Sequence, residues 1–135
     1  MIDTTHLKNA VSALRNSIGD YDEYASNGGS LRESLRSGVI QNFEVAYELS
    51  WKAMKRWLSF NVSPELVDGL PRFELFRYAA ENGLISDLEK WFEFHKARNR
   101  TVHEYSEIAA DEVFVFAKNF AGYAEEFIEK LEARL

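Results

Sequence analysis

Apolar residues recur along this chain at intervals of three and four, the spacing that gathers side chains onto one side of a helix. From about residue 3 to residue 25, Leu7, Val11, Leu14, Ile18, Tyr21 and Ala25 form such a seam, and Ser26-Asn27-Gly28-Gly29 predicts its end. Ser30 with Glu33 reads as a capping box that opens a second helix. Its apolar face runs through Leu31, Leu35, Val39, Ala46, Leu49, Ala53, Trp57 and Phe60. Some thirty residues at 1.5 Å each give it a length of roughly 45 Å.

A loop is expected over 61–70, around Pro64 and Gly69, after which Pro71 suits the first position of a short third helix and Asn82-Gly83 its stop. Ser86 with Glu89 forms a second capping box, opening a helix that carries Leu88, Trp91, Phe92 and Phe94. The pattern leaves open whether this helix continues through Tyr105. Ser106 is placed to cap a last helix reaching about Ala133, with Val113, Phe116, Phe120, Tyr123, Phe127 and Leu131 inward. With no internal repeat, low-complexity stretch or interdomain linker, residues 1–135 predict a single all-α domain, an antiparallel, up-and-down helical bundle of about five helices.

Composition and charge narrow the reading. At 46% hydrophobic and 14% aromatic, the chain has ample material for a core, which argues against disorder. Aromatics fall on more than one face of the second and last helices (Phe43, Tyr47, Trp51, Phe114, Phe116, Phe120), so a helix-to-helix homodimer is expected to bury the excess. The absence of cysteine excludes disulfides, thiolate metal sites and a cysteine nucleophile. The N-terminal Met-Ile-Asp-Thr-Thr-His has no secretory pattern, and no run approaches the length of a membrane span, so a cytoplasmic protein without membrane contact is expected. A net charge of −6 argues mildly against constitutive binding of long nucleic acid and leaves room for a local basic pocket.

The segment with candidate chemistry is Arg98-Asn99-Arg100-Thr101-Val102-His103-Glu104-Tyr105. Asn99 and His103 are one helical turn apart and share a face. Arg98 and His103 are five apart, which separates them by roughly 140° and about 7.5 Å on a regular helix. The length of an arginine lets both heads reach one phosphate, or a two-fold axis lets one protomer complete the site of the other. Imidazole exchanges a proton near neutrality, a guanidinium fork stabilises charge building on phosphorus, and Asn99 is placed to orient the ring or hold a phosphate oxygen. With a ribose 2′-hydroxyl as internal nucleophile, no metal, cofactor or protein nucleophile is needed. The same spacing also arises by chance as a surface pair.

Other candidates read more plainly. His95 and His103 lie about 12 Å apart along the axis, too far to share one metal ion. Glu44 and Glu48 beside Lys52 read as a salt-bridged helix face or as carboxylates near the histidine. Trp51 and Trp57 read as core or dimer contacts, and Arg72 and Arg77 as solvent-facing. There is no phosphate-binding glycine loop and no paired-aspartate motif for nucleotidyl transfer.

The run Ile40-Gln41-Asn42-Phe43-Glu44-Val45-Ala46-Tyr47-Glu48-Leu49-Ser50-Trp51-Lys52 resembles the signature of the nucleotidyltransferase substrate-binding proteins, a branch of the HEPN superfamily that includes HepT-like toxins. Pro71-Arg72, Gly83-Leu84-Ile85-Ser86-Asp87, Trp91 and Arg98-Asn99 through His103 and Tyr105 extend the likeness from about residue 5 to 130. The resemblance implies a dimerising five-helix bundle encoded beside a minimal nucleotidyltransferase. It implies that Arg98, Asn99 and His103 match a motif that in toxin members is a metal-independent ribonuclease centre binding RNA, and that Tyr105 is the residue to which the partner attaches AMP. One departure is Glu104, where relatives often carry a small polar residue. Two activities fit the resemblance: the ribonuclease half of a toxin–antitoxin pair, or a non-catalytic subunit that presents a nucleotide or acceptor to its transferase. A plain helical dimerisation module is the third reading.

Overall fold

The computed structural model describes residues 2–103 and 106–135, with His103 described by its backbone alone. Six α-helices occur among the described residues: α1 (Thr5–Tyr24), α2 (Gly29–Asn61), α3 (Pro64–Val67), α4 (Arg72–Glu81), α5 (Leu88–His103) and α6 (Glu107–Glu132). A single 3₁₀ turn over Ala25–Asn27 reverses the chain between α1 and α2, with Gly28 and Gly29 at φ of 71° and 62°, values that a side chain disfavours. So short a connection makes α1 and α2 antiparallel neighbours. The rest of the frame is α2 packed on α6 and α6 on α5, with α4 wedged against both α2 and α5.

The helix starts differ in detail from the capping boxes read in the sequence. The long helix begins at Gly29 with Gly28 in the cap position and no side-chain cap, so Ser30 and Glu33 do not form the expected box. At α5 it is Asp87, rather than Ser86, whose carboxylate accepts from the Lys90 N–H at 3.1 Å; Ser86 instead donates to Glu126 across to α6. Pro71 stands at the N-cap position of α4 and makes no side-chain cap, so the first helical residue is Arg72 and not the expected Pro71. Ser106 does cap α6, its hydroxyl accepting from the Ala109 N–H at 3.0 Å. The expected loop over 61–70 contains the one-turn α3, opened by Ser63 as N-cap and Pro64 at the first helical position.

The α1 seam is as expected, with Leu7, Val11, Leu14 and Ile18 buried. On α2 the buried stripe runs through Val39, Phe43, Ala46, Tyr47, Ser50, Met54, Trp57 and Leu58. At 100° per residue, Leu31 and Phe60 fall roughly 100–120° from its centre. Both are exposed, Phe60 to 68%, which corrects their assignment to the apolar face.

Aromatic rings from four helices fill the middle: Phe43 and Tyr47 of α2, Phe76 of α4, Trp91 and Phe94 of α5, Phe120 and Phe127 of α6. Phe120 sits at the centre, with ring centroids 5.3 Å from Phe43, 5.2 Å from Trp91 and 5.1 Å from Phe94. The bundle therefore buries Phe43, Tyr47 and Phe120 unaided, while Phe114 packs on Tyr21 at 4.4 Å. Excess aromatics thus give no argument for a dimer; the exposed apolar side chains are others, Val45, Val102, Ile108 and Val115 among them.

One buried charge pins the start of α6. The Arg36 guanidinium, 6% exposed, donates to Glu107 at 3.1 Å and to Asp111 at 2.9 Å. The two carboxylates are themselves exposed, so removing the arginine strands no buried charge. Arg36→Met is therefore expected to cost about 2 kcal/mol, the worth of charge-assisted hydrogen bonds rather than of a broken buried pair. Urea denaturation of the variant beside the parent checks this, and a change below about 0.5 kcal/mol would show that the contact is idle.

Candidate functional site

Two helices build the polar cluster nearest the Arg98–His103 segment. On α2, Glu44, Glu48, Trp51, Lys52, Lys55 and Ser59 lie within about 100° of arc, one stripe some 22 Å long. On α5, His95, Asn99 and the backbone of His103 follow one another at single-turn spacing, with Arg98 beside them.

Arg98 lies close to the direction of Trp91, Phe94 and Ala97, the buried side of α5, so its stem is covered and the side chain is only 21% exposed. Its Nε lies 3.8 Å from Glu44 Oε2 and 3.7 Å from Glu48 Oε1, and this buried nitrogen makes no hydrogen bond. Among the described residues no hydrogen bond occupies the two terminal nitrogens either. The guanidinium is held by charge from behind while its fork stays uncommitted, the state in which it can take a phosphate oxygen.

Glu48 makes a second link, accepting from the Trp51 indole N–H at 3.1 Å. Over that indole lies the Arg72 guanidinium, 3.4 Å from the ring centroid, a cation–π stack that carries α4 onto α2. Arg72 is thus half-buried in the cluster, which corrects its reading as solvent-facing. Glu44 and Glu48 likewise pair with Arg98, not with Lys52.

His95 joins the cluster from α5. Its Nδ1 lies 2.8 Å from the Tyr47 hydroxyl, its Nε2 3.3 Å from the Asn99 side-chain amide, and Phe92 stacks on the ring. A neutral imidazole satisfies both contacts: Nδ1–H donates to the phenol oxygen and the Nε2 lone pair accepts from the Asn99 amide. Burial, and then the positive charges of Arg72 and Arg98, push the His95 pKa below its ordinary value, with Glu48 opposing. Burial also drives the Tyr47 phenol well above its ordinary value.

The folded state binds a proton at His95 less readily than the unfolded chain, so the stabilisation is complete above the unfolded value of about 6.5 and is lost as pH falls through the folded value. Urea midpoints followed from about pH 7.5 to about pH 5 are expected to fall more steeply for the parent than for His95→Gln. Parallel curves would remove His95 from the account.

Of the residues expected to carry chemistry, the structure places Arg98 against Glu44 and Glu48, and Asn99, exposed on α5, against His95. His103 is the last residue of α5, so its backbone direction stands roughly 40° from Asn99 and 140° from Arg98. Tyr105 and Glu104 lie outside the described residues. Beside Glu44 opens a groove of about 300 Å³ between α2, the end of α5 and the start of α6, lined by Ser37, Ile40, Gln41, Thr101 and Ser106. Sequence reasoning missed Tyr47, His95, Trp51 and Arg72 as members of the cluster. The readable signal was Glu44, Glu48, Trp51 at intervals of four and three, a polar stripe continuing into an indole.

The family described as nucleotidyltransferase substrate binding protein like matches residues 2–133. The chain belongs to this family. A second member-like protein, the probable ribonuclease HepT of Haemophilus influenzae, is 30% identical over 118 residues, covering 87% of this chain and 81% of the relative. A solved Haemophilus influenzae structure, described as revealing the fold of a substrate-binding domain of a nucleotidyltransferase, superposes with a TM-score of 0.86 at 29% identity, over 96% of this chain and 99% of that one. The all-α architecture of this nucleotidyltransferase substrate-binding family member is therefore that of a solved relative. Among the described residues no helix is long and apolar enough to cross a membrane.

Proposed function

We propose that this protein is a metal-independent endoribonuclease, the toxin half of a toxin–antitoxin pair restrained by a small nucleotidyltransferase. The observation that carries the reading is the Arg98 guanidinium, backed by Glu44 and Glu48 with its fork unoccupied, five residues before His103 on the same helix. The named relative, a probable ribonuclease, supports it. In the reaction the ribose 2′-oxygen attacks phosphorus, the bond to the 5′-oxygen breaks, and a 2′,3′-cyclic phosphate and a free 5′-hydroxyl form. His103 moves the proton between these oxygens, Arg98 bears the charge on the phosphoryl oxygens, and Asn99, set by His95, holds a phosphate oxygen.

Because the backbone directions of Arg98 and His103 diverge, the site is completed between two copies of the chain. A cytoplasmic homodimer and attachment of AMP to Tyr105 by the transferase complete the proposal; a phosphate-bearing adduct two residues from the imidazole fills the site with charge. The test is incubation of RNA with purified protein in EDTA. Cyclic-phosphate ends are expected from the parent and none from His103→Ala. Equal cleavage by both would end the proposal.

A second reading has an observation of its own: two carboxylates behind Arg98 offset its charge, which suits reversible holding of a phosphate as well as catalysis. Under it the chain presents a nucleotide to the transferase. Intact RNA in the same assay, together with nucleotide binding lost in Arg98→Ala, would favour this subunit role.

A further inference from the structure

A cleft of about 710 Å³ lies between the C-terminal half of α2 and α3, and Arg98 is not among its lining residues. Its α2 wall carries Lys52, Lys55 and Arg56, with Trp51 at one end and Phe60 at the other. Among the described residues none of these three cations has a carboxylate within ion-pair distance, although the chain as a whole carries a net −6. Most of its other cations are paired, Lys8 with Glu132 and Lys118 with Asp22 for example. Three unpaired cations on two turns of an acidic protein repel one another and form a local positive field. Glu65 and Asp68 line the opposite side, and Glu65 is engaged by the Ser63 hydroxyl at 2.9 Å.

The cleft shares one residue, Trp51, with the cluster around Arg98. Trp51 borders it, and the same indole donates to Glu48, which backs Arg98. The α2 stripe therefore passes from the acidic pair that fixes Arg98, through Trp51, to the basic wall. Phe60, 68% exposed, stands one turn from Arg56 with an open ring face. Cations at helical spacing beside an exposed aromatic are the two components of a single-strand site: phosphates track the charge and a base stacks on the ring.

We propose that this cleft binds single-stranded nucleic acid, with phosphates on Lys52, Lys55 and Arg56 and a base on Phe60. It holds the part of the strand that flanks the phosphodiester at Arg98. That last placement rests on RNA being the substrate; the binding site itself does not.

The probe is an end-labelled 2′-O-methyl oligoribonucleotide of about twelve residues, within the span of single-strand sites and without the hydroxyl needed for cleavage. Its affinity for the intact protein is measured over a range of salt concentrations. Lys55→Gln combined with Arg56→Gln is expected to weaken binding at least tenfold at low salt and to lower the slope against log salt by about 1.4, two phosphate contacts at roughly 0.7 each. Phe60→Ala is expected to weaken it about tenfold with the slope unchanged. Circular dichroism confirms that both variants remain helical, and Lys52→Gln gives a third reading at an exposed position.

A slope and affinity unaltered in the double variant would overturn the proposal. So would loss of transferase binding with oligonucleotide binding intact, which would make the cleft a protein-docking surface. The two readings separate cleanly. Cleft-dependent binding without RNA cleavage keeps this inference and removes the ribonuclease; cleavage with cleft-independent binding does the reverse.

Discussion

Replacing Arg98 by alanine is expected to lower RNA cleavage by about a hundred- to a thousandfold while leaving the fold intact, the usual loss when one fixed donor to developing phosphoryl charge is removed. The expectation follows from the way the side chain is held. Glu44 and Glu48 come nearest the guanidinium at Nε, and they do so at ion-pair rather than hydrogen-bond distance. The binding fork thus needs no rearrangement to meet a phosphate. Arg98→Lys is not expected to rescue more than a small part, since an ammonium supplies charge without the planar pair of donors.

Stability should change little. In Arg98→Ala the two glutamates, one turn apart and each about a third exposed, repel by a few tenths of a kcal/mol. Glu48→Gln isolates the positioning role. It is expected to reduce the cleavage rate less than Arg98→Ala, because the arginine keeps its charge and loses only its support. Single-turnover cleavage set beside thermal melting separates these effects. Cleavage by Arg98→Ala within threefold of the parent, at unchanged melting temperature, would take the guanidinium out of the chemistry.

The all-α architecture could be read from the chain because burial and helical periodicity speak the same language: Leu7, Val11, Leu14 and Ile18 are apolar at the right interval and buried where they fall. The errors came where two local solutions compete. Ser30 with Glu33 and Ser86 with Glu89 both satisfy the capping-box pattern, yet the first of those helices starts two residues earlier, at Gly28 with its positive φ, and the second one residue later, at the better-placed carboxylate of Asp87. The one-turn α3 is below the length at which periodicity carries information.

At the site, Arg98, Asn99 and His103 were legible as residue types at a spacing, and the likeness of 40–52 to a known signature pointed to α2. What could not be read was who faces whom between helices. Glu48 paired with Lys52 is what one helix predicts; Glu48 paired with Arg98 and Trp51 is what α2 packed on α5 produces. Along α5 alone, His95 offers no role beyond a metal ligand paired with His103, which the spacing rules out. Its partner Tyr47 stands 48 residues away in sequence, beyond any local rule.

Phe120→Ala is expected to be the most destabilising single change, about 3–5 kcal/mol, enough to consume much of the stability of a domain this size. Phe120 is fully buried and its ring meets Phe43 and Tyr47 of α2 and Trp91 and Phe94 of α5, so truncation opens a void between the two helices that carry the cluster. Surrounding rings are edge-on and interlocked, which limits collapse into the space and places the cost toward the upper part of the range. The corresponding fall in melting temperature is roughly 10–20 °C. Phe120→Leu keeps most of the volume and is expected to lose about a third of that.

The damage should also reach the site through one chain of contacts. Tyr47 packs against Phe120, bonds to His95, and His95 meets Asn99. Burial is the largest cause of the depressed His95 pKa, so loosening its surroundings should let that value rise toward the ordinary one. At a temperature where Phe120→Ala is still folded, NMR titration of the His95 ring is expected to show this upward movement, absent in Phe120→Leu. A variant that loses stability without moving His95 would mean the core holds the helices together but does not set the polar cluster between them.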